Sequence, residues 1–216
     1  MEHLGRLITA MVTPFDSEGK VDYPRARQLA TALLNSGSDG LVIAGTTGEA
    51  PTLSRDEKLR LFGEVSEEVS SRGSVIAGAG TYNTVESIEL AREAELLGID
   101  GLLLVVPYYN RPPQEGVFQH FKAIASSSRL PCILYNVPSR TGTNMTPETA
   151  LRLAQIDNII GVKEASGDLT QIGAIIADAP SEFLVWSGND SETFPVMSLG
   201  GYGVISVASH LVGNQI

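Results

Sequence analysis

The chain has 216 residues, of which 43% are hydrophobic and 19% are charged, and its formal net charge is −10. This length and composition predict one globular domain, spanning 1–216. The negative charge argues against a nucleic-acid or anionic-membrane partner, since both bind basic surfaces. The N-terminus lacks a signal-peptide pattern and no apolar run is long enough to span a bilayer, so we predict a cytoplasmic protein.

Short apolar segments alternate with amphipathic segments along the chain. The apolar segments predict eight strands, at 7–12, 40–44, 74–78, 101–106, 131–135, 159–163, 183–186 and 203–207. The amphipathic segments predict helices at 24–36, 54–71, 84–97, 115–127, 147–155, 169–178 and 190–199. Strands that are apolar throughout are typical of a parallel sheet covered on both faces.

This alternation predicts an α/β fold, and eight such strands favour a closed (β/α)8 TIM barrel. An open doubly wound sheet is the alternative, but the first strand is followed by MVTPFD and not by a glycine-rich dinucleotide-binding turn. Only residues 208–216 follow the last predicted strand, too few for the eighth helix. We therefore expect a barrel truncated at its C-terminus, or one whose last strand is covered by another chain.

The sixth predicted strand ends in Lys163, which is followed by a polar turn. A buried lysine has a lowered pKa because burial favours the neutral amine, and a neutral amine can form a Schiff base with a carbonyl compound. The alternative is that Lys163 has already left the strand and lies in solvent. The segment by itself does not decide between the two.

In a TIM barrel, the residues that follow the strands share one rim. Strand two is followed by GTTGE, with Thr46 and Thr47, where backbone N–H groups and hydroxyls can bind an anion; an ordinary glycine-rich turn is the alternative. Tyr135 ends strand five, and Arg140 follows it. An amine, a phenol, hydroxyls and a guanidinium fit carbonyl chemistry on a carboxylated substrate.

Other chemistries have less support. His3, His120 and His210 lack the spacing of metal ligands, and Cys132 lies in an apolar run typical of a buried thiol. The glycines at 200–203 precede a strand, at the wrong end of the barrel for a phosphate site. We expect the nearby acids to be solvated, to cap helices or to support the site from outside it: Glu49, Asp168, Asp190 and Glu192.

Four segments together resemble the dihydrodipicolinate synthase family, within the N-acetylneuraminate lyase superfamily of class I aldolases. They are GTTGE (45–49), PYYNRP (107–112), YNVPSRTG (135–142) and GVKEASGD (161–168). The resemblance covers essentially the whole chain, with the segments in family order. It implies a lyase that condenses pyruvate with L-aspartate 4-semialdehyde to 4-hydroxy-tetrahydrodipicolinate, in diaminopimelate and lysine biosynthesis, with no cofactor and no metal.

The resemblance also implies a role for each matching residue. Lys163 would form the Schiff base with pyruvate, while Tyr135 would move protons with Thr46 and with Tyr109, the last donated by a second copy of the chain. The remaining roles concern substrate binding and fall to Thr46, Thr47, Arg140, Gly188 and Ile205. The family implies a homotetramer built as a dimer of dimers.

Two alternatives stay open at this stage. A sibling aldolase, acting on N-acetylneuraminate or a 2-keto-3-deoxy sugar acid, would share the lysine, the tyrosine and the glycine–threonine turn. A truncated barrel could instead be inactive and serve a binding or assembly role.

The region that matches the family's lysine-feedback site keeps Glu86 and Tyr108 but differs elsewhere, at Pro51, Arg55, Lys58 and Tyr82. Added positive charge disfavours a cationic effector. We therefore predict weak or absent inhibition by lysine.

Overall fold

The computed structural model describes residues 4–69 and 72–216, and its eight parallel strands close into one barrel in sequence order, with β1 paired to β8. The strands are β1 Leu7–Ala10, β2 Gly40–Ile43, β3 Ser74–Gly78, β4 Gly101–Val105, β5 Cys132–Asn136, β6 Ile159–Glu164, β7 Leu184–Ser187 and β8 Gly203–Ser206. The predicted TIM barrel is confirmed.

Helices follow the strands and cover the barrel. Within the described residues they are α1 Tyr23–Asn35, α2 Arg55–Val69, α3 Thr84–Leu96, α4 Gln114–Ala125, α5 Pro138–Thr141, α6 Pro147–Leu153, α7 Leu169–Asp178, α8 Thr193–Ser198 and α9 Ser209–Val212. No helix in 4–69 or 72–216 is long and apolar enough to cross a membrane.

Most predicted elements are present, with ends shifted by one or two residues. The predicted helix over 54–71 is observed as α2, and its last two residues lie outside the described ranges. The predicted helix over 190–199 is divided into a 3-10 turn, Asp190–Glu192, and α8. Asp190, the first residue of the predicted helix, is bound to the turn after β8, because its carboxylate accepts hydrogen bonds from the backbone N–H groups of Val207 and Ala208.

Each strand is buried on both faces, as its continuous apolar sequence predicts. In β2, Val42 belongs to the cluster inside the barrel, whereas Leu41 and Ile43 pack toward the helices. The same alternation places Tyr135 inside the barrel and Leu134 outside it. Interior-facing side chains near the C-terminal ends of the strands therefore lie directly beneath the rim.

Candidate active site

The centre of the rim is formed by two side chains from neighbouring strands. Tyr135 on β5 is the register partner of Lys163 on β6. Both are buried, with exposed fractions of 6% and 5%, and the Lys163 Nζ atom lies 4.4 Å from the centroid of the Tyr135 ring. The solvent-exposed alternative for Lys163 is therefore wrong.

The pKa of Lys163 is lowered from 10.5 to about 8. Burial is the main cause, the negative charge of Asp190 opposes it, and the positive charge of Arg140 adds to the lowering. A lysine with an ordinary pKa is almost entirely protonated at neutral pH. With a pKa near 8, about one molecule in ten carries the neutral amine at pH 7. The fold thus makes this amine available as a nucleophile.

Gly188 lies against the Lys163 side chain. A Cβ atom at this position would clash with the Cβ atom of Ala165 at 2.7 Å and would crowd Lys163 Cε at 3.2 Å, so a larger residue would disturb the packing around the lysine. The Gly188 N–H donates to the carbonyl of Glu164 at 2.7 Å, which fixes the turn after β7 against β6. Ile205 on β8 is fully buried in the same interior cluster as Tyr135.

The Tyr135 phenol is hydrogen-bonded to the hydroxyl of Thr46, from the turn after β2. Burial raises the pKa of Tyr135, and this hydrogen bond and the charge of Arg140 both lower it. Thr46 itself is exposed, so the pair connects the buried phenol to the open rim. A phenol in this position can receive a proton and return it.

A cavity of about 250 Å³ opens at this rim. Its lining includes Thr46, Tyr135 and Arg140, the last carried by the short helix α5. Lys163 does not line this cavity itself but contacts Tyr135, which does. A larger hollow of about 1300 Å³ lies at the opposite end of the barrel, beside residues that precede the strands, such as Asp39 and Asn158. We favour the smaller cavity because the amine and the phenol are beside it.

Two of the residues assigned by resemblance lie apart from this group within one chain. Tyr109 is 87% exposed, has a left-handed backbone conformation (φ 69°) and does not line the cavity. Thr47 is half-buried beside Thr46 but does not line the cavity. Their predicted roles stay predictions.

Asp190 makes contacts that its position in the sequence does not indicate. Its carboxylate accepts from the Ser206 hydroxyl at 2.5 Å and from two backbone N–H groups after β8, which joins the β7 and β8 turns. Its charge also acts on Lys163. Asp168 is a helix cap, because it accepts from the backbone N–H groups of Thr170 and Gln171 at the start of α7.

Cys132 and His120 are structural. Burial raises the pKa of the Cys132 thiol to about 12, which keeps it protonated, and lowers the pKa of His120 to about 4. His3 lies outside the described residues. Among the described residues, no group of three histidine, cysteine or acidic side chains could hold a metal ion.

A comparison with protein families matches residues 3–216 to the family described as "Dihydrodipicolinate synthetase family". The chain belongs to this family. Similar proteins include the 4-hydroxy-tetrahydrodipicolinate synthases of Moorella thermoacetica, 62% identical over 98% of this chain and 73% of the relative, and of Dehalococcoides mccartyi strain CBDB1, 61% identical over 100% and 73%. Membership makes the chain a lyase of the class I aldolase type, in lysine and diaminopimelate biosynthesis.

Solved structures give the same result. A dihydrodipicolinate synthase from Bacillus anthracis superposes with a TM-score of 0.98 at 46% identity, covering 100% of this chain and 74% of that one. The enzyme from Cyanidioschyzon merolae, solved with lysine bound, has a TM-score of 0.97 at 50% identity and covers 98% and 72%. The family resemblance read from the sequence is confirmed.

Proposed function

We propose that this enzyme condenses pyruvate with L-aspartate 4-semialdehyde to 4-hydroxy-tetrahydrodipicolinate, through a Schiff base on Lys163 and without a cofactor or metal. The observation that carries the proposal is the contact between a buried amine with a pKa near 8 and the ring of Tyr135. The names of the similar proteins support the choice of product.

The first half of the reaction activates pyruvate. The neutral amine of Lys163 attacks the C2 carbonyl, and loss of water gives an iminium ion. Loss of a C3 proton then gives an enamine. Tyr135 is placed to move these protons, with Thr46 linking it to the open rim.

The second half joins the substrates. The enamine C3 attacks the aldehyde carbon, so that a C–C bond forms and the aldehyde oxygen takes up a proton. The amino group of the second substrate then attacks the iminium carbon, releases Lys163 as the free amine and closes the ring. Over the whole reaction, one molecule of water is lost.

The substrate carboxylates are assigned to two parts of the rim. Thr46, Thr47 and the backbone of their turn would hold the carboxylate of pyruvate. Arg140, which is exposed and lines the cavity, would hold that of the semialdehyde by a charge-assisted hydrogen bond. Gly188 and Ile205 would shape the wall beside the amine, as their packing near Lys163 and Tyr135 suggests.

The proposal extends to assembly and location. We assign the exposed Tyr109 ring to the active site of a second copy of the chain, in a tetramer built as a dimer of dimers. A ring that is 87% exposed on a proline-flanked loop supports such a contact. The protein is assigned to the cytoplasm, which the biosynthetic role of the family supports.

Borohydride trapping tests the proposal. With pyruvate, the native protein should gain one reduced pyruvyl adduct on Lys163, located by peptide mass spectrometry. Lys163→Ala should gain none, whereas Lys122→Ala, which changes an exposed lysine on α4, should behave like the native protein. An unmodified native protein would contradict the proposal and support an inactive barrel.

A substrate comparison separates the synthase from its siblings. The native protein should consume pyruvate only when L-aspartate 4-semialdehyde is present. It should not cleave N-acetylneuraminate or 2-keto-3-deoxy sugar acids at a comparable rate. Faster cleavage of a sugar acid would assign the chain to a sibling activity.

A further inference from the structure

A polar cluster lies on the outer side of the two strands that carry Lys163 and Tyr135. Asn136 and Glu164 are fully buried, and each comes one position after one of these residues. Because successive strand residues point to opposite faces, the pair lies between the barrel and its helices. Asn136 and Glu164 are also register partners.

The described partners of the Glu164 carboxylate are all hydrogen-bond donors. The Asn136 amide donates to both oxygens, at 3.0 and 3.2 Å, the Gln171 amide donates at 3.1 Å, and the Ser166 N–H donates at 2.9 Å. A buried carboxylate is retained only when its oxygens are satisfied in this way. The arrangement therefore depends on an acceptor at 164 and a donor at 136.

The cluster connects four parts of the rim. The Asn136 side-chain oxygen accepts from the Met145 N–H at 3.0 Å, and its amide also donates to Asn144 at 2.8 Å. Asn144 in turn donates to Gln171, near the start of α7, at 2.7 Å. The strands β5 and β6, the segment before α6, and α7 are thus held together beside the reactive amine.

The pairing of β5 with β6 explains why such a connection matters. Cys132 pairs with Ile159, but the next residue, Ile133, pairs with Gly161, so the register shifts by one residue near the start of the strands. A shift of one residue in a strand exchanges its two faces. If the pairing slipped at the other end as well, Lys163 would leave the interior of the barrel.

We propose that Glu164 and Asn136 form a clamp that fixes the register of β5 and β6 at the rim, and so sets the burial of Lys163 beside Tyr135. Both are positioning residues, since neither side chain faces the interior. The kinetic consequence of the clamp rests on the proposed function, but its effect on the burial of Lys163 does not.

Exchange of the two groups tests the clamp. Glu164→Gln places an amide N–H₂ group against the Asn136 amide and should loosen the pair. Adding Asn136→Asp restores one donor and one acceptor with their positions reversed. The control is Asn158→Ala, at the opposite end of the same strands, where the side chain donates to the carbonyls of Ala125, Ser128 and Leu130.

The readout is the titration of the Lys163 side chain in the substrate-free protein, followed by NMR with ¹³C-labelled lysine and assigned with Lys163→Arg. In Glu164→Gln, the midpoint should rise by about one pH unit, because water reaches the ammonium, and adduct formation with pyruvate at pH 7 should fall about ten-fold. The double variant should recover adduct formation to within about three-fold. Asn158→Ala should lower stability and leave the midpoint unchanged.

Two results would overturn the clamp: an unchanged midpoint in Glu164→Gln, or no recovery in the double variant. If Glu164→Gln does not fold, Gln171→Ala decides, since it removes one donor to Glu164 and should raise the midpoint by a smaller amount. If the native protein forms no adduct with pyruvate, the proposed function fails, while the substrate-free titration still judges the clamp.

Discussion

Tyr135 and Lys163 are register partners on neighbouring strands, and both side chains enter the barrel at the same height. This pairing places the amine 4.4 Å from the centre of the phenol ring although the two residues are separated by 27 others in sequence. Both are almost fully buried, so the protein and not the solvent sets their protonation.

Formation of the pyruvate adduct should depend on pH with a midpoint of about 8, the pKa of Lys163. Only the neutral amine reacts, so the rate at pH 7 should be about one tenth of the plateau at high pH. Asp190→Asn should move the midpoint down, because the Asp190 charge raises this pKa. Single-turnover trapping between pH 6 and 10 measures both, and a midpoint near 10.5 in the native protein would refute the first expectation.

Tyr135→Phe should lower kcat by about 10²- to 10⁴-fold, the usual effect of losing a proton-transfer group. The ring beside Lys163 remains, so the KM for pyruvate should change little. Steady-state kinetics with both substrates measures kcat and the KM for pyruvate separately.

Thr46→Val removes the hydrogen bond to Tyr135, and Thr46→Ser, which keeps the hydroxyl, is its matched control. Equal kcat values for these two variants would argue against the proton route.

Arg140→Ala should raise the KM for L-aspartate 4-semialdehyde by about 10- to 100-fold, because a hydrogen bond to a charged group contributes about 1.5–3 kcal/mol. The KM of Arg140→Lys should lie between those of the native protein and Arg140→Ala, since lysine keeps the positive charge but cannot form a bidentate hydrogen bond. Adduct formation with pyruvate at saturating pH should be unchanged. A loss of adduct formation in Arg140→Ala would place Arg140 on the first substrate.

L-lysine should inhibit the enzyme weakly or not at all. Lys58 is 8% exposed and lines the same cavity as Tyr108, where its ammonium would oppose a cationic effector. Removing one such charge by Lys58→Ala should strengthen L-lysine binding about five-fold, equivalent to about 1 kcal/mol. Isothermal titration calorimetry measures this, with Lys20→Ala as the control. Tight binding to the native protein would be contrary to the prediction.

The barrel could be predicted from sequence because its strands are apolar on both faces and alternate with amphipathic helices. The ends of the strands are harder to predict, since apolar residues continue past them. The apolar pattern predicts a first strand that reaches Val12, whereas β1 ends at Ala10, and Val12 is 40% exposed although Met11 is buried. Hydrophobicity alone does not separate the end of a strand from a turn that is still partly buried.

Some polar residues of the site could also be predicted from sequence, and others could not. Lys163, Tyr135 and Thr46 could be found because they follow strands that end at one rim, and the structure brings these three together. The contact of Asp190 with Ser206 and that of Glu164 with Asn136 could not be found, because these partners lie 16 and 28 residues away in the chain. Only the closed barrel makes them neighbours. The apolar pattern also ends the fifth and sixth strands one residue before Asn136 and Glu164, because a polar residue is tolerated there only when buried partners satisfy it.

The burial of the Lys163 amine also has a cost for the folded protein. The unfolded chain holds a proton on this lysine up to about pH 10.5, whereas the folded chain gives it up near pH 8, so the free energy of unfolding should increase with pH between these values. At neutral pH the penalty is of the order of 3 kcal/mol. Lys163→Met should therefore yield a more heat-resistant protein that has lost its chemistry, a trade of activity against robustness at one position.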